Sequence, residues 1–199
     1  MLPRVFPILP IWEGIIMNLW HDIAPARVRP EDFFAVIEIE KGSKNKYEMD
    51  KETGALRLDR ILYTSTHYPA NYGFIPRTWA DDGDPLDVLV LCQESILPLT
   101  LVRCYPIGMI RMVDGESADE KIIALPLRDP SMNCYRDISG LPRHQLDEFS
   151  HFFEVYKMLE NKKTKVTEMC GREEAVNVIQ NCIAAYNLKY PDTAKQNEG

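Results

Sequence analysis

The apolar residues of this chain change period about two thirds of the way along, and that change limits the folds open to it. Up to Leu127 they fall in short runs: Phe34 to Glu40, Lys46 to Met49, Leu56 to Leu62, Val88 to Leu91, Leu101 to Met112 and Lys121 to Leu127. Rich in β-branched and aliphatic residues and punctuated by Gly, Pro and Asp, these runs predict strands. From Pro142 the spacing lengthens. Leu146, Phe149, Phe152, Phe153, Tyr156 and Leu159 recur at three and four residues, as on one face of a helix. A second helix is predicted from about Arg172 to Tyr186, burying Ala175, Val178, Ile179, Cys182, Ile183 and Tyr186. Strands first and helices later predict an α+β fold, with two C-terminal helices packed on a closed or strongly curved sheet.

No repeat or linker divides the chain after Met17, and 199 residues suit one domain with a core of its own. The first sixteen residues are apolar but broken by Pro3, Pro7 and Pro10 and carry Glu13, which does not suit a signal peptide. Met17-Asn18-Leu19-Trp20 reads as a second start, so residues 1–16 are expected to be a dispensable extension, 17–190 the domain and 191–199 a polar tail. No stretch approaches the ~20 apolar residues of a membrane span. A formal net charge of −7 argues against a nucleic-acid partner, since such binding neutralises phosphates with Lys and Arg. Five cysteines, none in a Cys-x-x-Cys pair, suggest reduced thiols in the cytoplasm rather than a disulfide framework.

Chemistry concentrates in Asp82-Gly83-Asp84-Pro85-Leu86-Asp87, where three carboxylates within six residues repel one another unless a cation or proton lies between them. Gly83 lets the backbone turn and Pro85 fixes one dihedral, so the acids can converge. The run Val88-Leu89-Val90-Leu91 anchors the C-terminal end. Asp-Gly and Asp-Pro also make ordinary turns, and that reading stands beside the metal one. A calcium loop of the EF-hand kind fits poorly, because Leu86 and Asp87 occupy its fifth and sixth positions. Oxygen ligands alone favour magnesium or manganese over zinc.

A second acidic loop, Asp114 to Glu120, is followed by Lys121 and leads into a strand. Alone it reads as a solvated loop. Lys46-Tyr47-Glu48, Asp59-Arg60, Tyr68-Pro69 with Asn71-Tyr72-Gly73, and Tyr156-Lys157 add cations and phenols. Lys46 and Glu48 share a face of an extended strand. Tyr72 and Tyr156 are open to a core role, and Lys46 and Arg60 to a solubilising one. Together, acids that hold cations and cations that hold phosphate oxygens suit a metal-complexed polyphosphate.

These segments, in this order, resemble the soluble magnesium-dependent inorganic pyrophosphatases of family I. The likeness covers about Asn18 to Tyr186. It includes Val36-Ile37-Glu38-Ile39, Tyr72-Gly73-Phe74-Ile75-Pro76 and His151-Phe152-Phe153-Glu154, with the Asp82–Asp87 motif the most specific. The resemblance implies a five-stranded OB-like barrel and hydrolysis of pyrophosphate to two orthophosphates. It implies that Asp82, Asp87 and Asp119 ligate one magnesium, that Asp87 bridges to a second, and that Asp114 with Asp119 holds an ion arriving with substrate. Glu38 and Glu48 would line the cavity and take a further ion; manganese or another divalent ion is a possible substitute. Asp84 matches the proton acceptor for the attacking water, and Tyr72 lies near that nucleophile. Lys46, Arg60, Lys121, Tyr156 and Lys157 match the residues that grip the phosphates. The short chain resembles the hexameric members rather than the longer dimeric ones.

The chain departs from the family pattern in its leader, its tail and the order Gly115-Glu116. No serine, cysteine or histidine motif offers a nucleophile, and His144 and His151, seven apart, share a helix face for structural reasons. Two rival readings stay open: an OB-like binding module, and a metal-dependent phosphomonoesterase or nucleotide hydrolase.

Overall fold

The computed structural model describes residues 18–191. The expectations for residues 1–16 and for the tail beyond Pro191 lie outside the described residues. Strands β1 (Val28–Arg29), β2 (Asp32–Ile39), β3 (Asn45–Met49), β4 (Leu56–Ile61), β5 (Asn71–Phe74), β6 (Asp87–Val90), β7 (Leu101–Asp114) and β8 (Ser117–Pro126) precede helix α1 (Arg143–Val155). Strand β9 (Thr164–Gly171) and helix α2 (Arg172–Lys189) follow it.

Five of these strands close a ring. β2 pairs with β5, β5 with β6, β6 in parallel with β8, β8 with β7, and the first residues of β7 return to β2. This is the closed five-stranded sheet with two helices that the sequence leads one to expect, and closure removes the unpaired edges of an open sheet. The later half of β7 leaves the ring and pairs with β9. β3 and β4 form a separate two-stranded hairpin.

The uninterrupted apolar runs arise because the ring is buried on both faces. Leu89, Ile123 and Leu125 pack in one cluster with Phe149, Phe152 and Phe153 of α1. Their neighbours Val88, Val90, Ile122 and Ala124 turn the other way and join Ala175, Ile179 and Cys182 of α2. Alternation along each strand thus serves two cores. Gly73 in β5 crosses β2 so closely that a Cβ would lie 1.9 Å from the Val36 carbonyl oxygen.

Five features differ from the sequence reading. β5 is too short and too glycine-interrupted for a strand pattern, and β9 mixes Lys165, Thr167 and Glu168 with few apolar residues and no regular alternation; each is made by its ladder partners. The second acidic loop is only a two-residue turn, Gly115-Glu116. Asp114 therefore ends β7, and Asp119 and Lys121 belong to β8. Leu159, expected on the buried face of α1, lies beyond the helix end and is exposed. α2 continues three residues past Tyr186.

Candidate active site

The first acidic segment is a tight loop fixed at its base by buried polar contacts. Thr78 donates its hydroxyl to the Ile75 carbonyl at 2.6 Å and accepts the Leu86 N–H at 2.8 Å. Ala80 N–H donates to the Asp84 carbonyl at 2.8 Å, and Asp84 N–H to Asp82 Oδ1 at 3.0 Å. Gly83 has a φ of 85°, which L side chains rarely adopt, so glycine suits the bend. Its α-carbon faces Trp79, which stacks on Trp20 at 5.7 Å between centroids.

Register brings the other groups to this loop. Asp87 opens β6 directly beside Lys121 on the parallel strand β8. Lys121, with only 3 % of its side chain exposed, donates to Asp87 at 2.7 Å, to Asp119 at 2.9 Å and to the Tyr72 hydroxyl at 3.1 Å. Tyr72 in turn donates to Asp87. Lys157 pairs with Asp114. On the hairpin, Lys46 stands opposite Arg60 in register and pairs with Glu48 and Asp59, while Arg60 Nε donates to Asp59 at 2.7 Å. Glu38 of β2 accepts the Met49 N–H at 2.7 Å.

All the site residues expected from sequence line one cavity of about 570 Å³: Glu38, Lys46, Glu48, Arg60, Tyr72, Asp82, Asp84, Asp87, Asp114, Asp119, Lys121, Tyr156 and Lys157. None stands apart. No serine, cysteine or histidine lines it among the described residues. His144 and His151 are exposed on α1, away from it.

The electrostatics are those of crowded like charges. Burial raises the Asp82 carboxyl, and Asp87, Asp84 and Asp119 raise it further against the Asp84 N–H. Burial pushes Glu38 up to about 8, opposed by the Met49 N–H and helped by Asp87. Burial alone would lower Lys121, yet Asp87 and Asp119 hold it well above the ordinary lysine value. Tyr72 is raised far above the phenol range by burial and then by the same two acids. Among the described residues no three ligand groups already close on one point, and the acids lean instead on lysines. Still, the mutual repulsion of Asp82, Asp84, Asp87 and Asp119 is what a bound cation relieves. The donors are carboxylate oxygens alone, which suits a hard divalent ion.

Comparison with known proteins agrees with this geometry. The family model for inorganic pyrophosphatase matches residues 35–187. The chain belongs to the inorganic pyrophosphatase family. Soluble inorganic pyrophosphatase 2 of Chlamydomonas reinhardtii is 46 % identical over 179 residues, covering 90 % of this chain and 93 % of that protein. Soluble inorganic pyrophosphatase 1 of Arabidopsis thaliana is 48 % identical over 174 residues, covering 87 % and 82 %. The solved inorganic pyrophosphatase of Helicobacter pylori aligns with a TM-score of 0.78 at 43 % identity, covering 86 % of this chain and 98 % of that one. Membership in the pyrophosphatase family makes the chain a hydrolase, of the inorganic diphosphatase kind.

Within the pyrophosphatase cavity the structure adds residues that sequence reasoning passed over. Lys51, at the turn of the β3–β4 hairpin, reaches across to pair with Asp84. Trp20, Asp50 and Arg57 also line the cavity. Lys51 follows Lys46-Tyr47-Glu48 by three residues, but nothing in its spacing announces a partner 33 residues away. Among the described residues no helix is long and apolar enough to cross a membrane.

Proposed function

We propose that this chain hydrolyses inorganic pyrophosphate to two orthophosphates by direct attack of a metal-activated water, with Asp84 as general base. The observation that carries the reading is the meeting of nine acids with six cations and three phenols in one cavity. Pyrophosphate is an anion that repels hydroxide, so its hydrolysis needs both a nucleophile and neutralised phosphates.

Asp82, Asp87 and Asp119 would hold one magnesium, Asp87 would bridge to a second, Asp114 with Asp119 would hold an ion arriving with substrate, and Glu38 and Glu48 a further one. When bound, the ions supply a water whose pKa falls from ~15.7 toward ~7. Asp84 accepts the proton of that water as its oxygen attacks phosphorus and the bridging P–O bond breaks. Lys46, Arg60, Lys121, Lys157 and Tyr156 offset charge on the two phosphates, most on the leaving one. Tyr72, donating to Asp87 and accepting from Lys121, keeps both near the nucleophile. The absence of serine, cysteine and histidine from the described lining supports direct attack over a covalent route through those groups.

The experiment is a substrate panel at fixed magnesium: pyrophosphate, ATP and p-nitrophenyl phosphate, each followed by orthophosphate release. Pyrophosphate turned over at least about 10²-fold faster than the other two supports the reading; a preference for the nucleotide or the monoester rejects it. We also propose a cytoplasmic homo-hexamer whose domain spans residues 17–190, with residues 1–16 and the tail dispensable. Free Cys92, Cys104, Cys134, Cys170 and Cys182 suit a reducing compartment, and exposed Leu97, Leu99 and Leu127 leave apolar surface for subunit contacts. A light-scattering mass of six chains, unchanged on deleting residues 1–16, is the expected result.

A further inference from the structure

The turn that follows Lys157 carries a carboxylate outside the set read from sequence. Met158–Glu160 form a single 3-10 turn, closed by Glu160 N–H donating to the Lys157 carbonyl at 2.9 Å and ended by Asn161 at a left-handed φ of 58°. The Glu160 side chain is 9 % exposed, and its Oε2 accepts Nη1 of Arg60, a hundred residues earlier. Its Oε1 has no hydrogen-bond partner among the described residues, so the directed contact of this buried carboxylate goes to Arg60.

Arg60 needs such a hold. The β3–β4 hairpin shares no ladder with the ring, and an isolated two-stranded hairpin is marginal. Its position must come from side chains. Glu38 takes the Met49 N–H near one end, and Glu160 takes Arg60 near the other. With Asp59 on Nε and Glu160 on Nη1, the guanidinium plane is fixed from two sides, and the rest of its fork is left for an anion in the cavity that Arg60 lines. We infer that Glu160 is a positioning residue: it orients Arg60 toward the phosphate site and docks the hairpin against the turn that bears Tyr156 and Lys157. The inference rests on the reading of Arg60 as a phosphate-binding group.

Orthophosphate binding at fixed magnesium, measured by calorimetry, tests this in a double-mutant cycle. Glu160→Ala is expected to weaken binding about tenfold, the worth of one charge-assisted hydrogen bond, and Glu160→Gln, which keeps an acceptor, to fall between it and the parent. Arg60→Ala weakens binding at least as much. In the Arg60→Ala background, adding Glu160→Ala should change affinity by less than about twofold, because its effect passes through Arg60. A merely structural role would disturb Tyr156 and Lys157 in either background and multiply the two losses. That multiplication, or a Glu160→Ala affinity within about twofold of the parent while Arg60→Ala is weakened, overturns the inference alone. An Arg60→Ala variant that binds like the parent overturns the phosphate-binding reading and the inference with it.

Discussion

Lys121→Met removes the one ammonium that lies between Asp87, Asp119 and Tyr72, while methionine keeps the stem and most of the volume. Deleting one partner of a fully buried ion pair costs about 3–5 kcal/mol, because the remaining charge is left uncompensated. Here Asp87 and Asp119 keep 29 % and 16 % of their side-chain exposure. Water can offset part of their charge, which puts the cost near the lower end, about 3 kcal/mol. For a chain of this size that lowers Tm by roughly 6–12 °C. The assay is thermal melting in chelator, at one protein concentration because assembly contributes to apparent stability. Magnesium is then added. Carboxylates released from the ammonium gain a cation, so magnesium should raise the Tm of Lys121→Met more than that of the parent. A drop under about 2 °C in chelator would refute the packing argument. Equal magnesium gains in both proteins would refute the claim that Lys121 and the ion neutralise the same acids.

Three further outcomes are expected. Asp84→Asn should lower pyrophosphate turnover about 10²- to 10⁴-fold with metal affinity retained, whereas Asp87→Asn should weaken metal affinity; identical calorimetric metal titrations of the two would contradict that division. Gly73→Ala drives a Cβ to 1.9 Å from the Val36 carbonyl oxygen and should cost about 3 kcal/mol or more in urea unfolding, by prising β5 from β2. Asp137 accepts the N–H groups of Arg172 at 2.8 Å and Ser139 at 2.9 Å, which hold its carboxyl below the usual range. A depressed folded pKa gives stability that is present above the unfolded value, about 3.9, and lost as pH falls through the folded one. Asp137→Ala should therefore cost about 1 kcal/mol at pH 7, with the gap from the parent narrowing below about pH 4; a gap constant down to pH 2 would contradict it.

What could be read from the residues divides along physical lines. Phe149, Phe152 and Phe153 announce their helix because the period that buries them is local. Asp82 to Asp87 announces a loop because glycine and proline set its backbone. β5 and β9 do not show in the sequence, since each exists through partners far along the chain: Tyr72 lies against Leu89, and Met109 against Cys170. The same holds for the site. Its acids and cations were visible as residue types, and the family resemblance grouped them. Pairings such as Lys51 with Asp84 and Glu160 with Arg60 depend on where two turns meet, which no local pattern encodes. The second acidic segment shows the reverse error. Its charge suggested a loop, but strand pairing from Asp114 to Ser117 leaves only Gly115 and Glu116 to turn.

The central claim is that the acids of this cavity hold a hard divalent ion for attack on pyrophosphate. It is tested most directly by orthophosphate release from pyrophosphate, first with magnesium in excess and then after chelation on the same sample. The account predicts turnover with magnesium, its loss on chelation and its return when magnesium is restored. Turnover that persists through chelation, or none in magnesium, would contradict it.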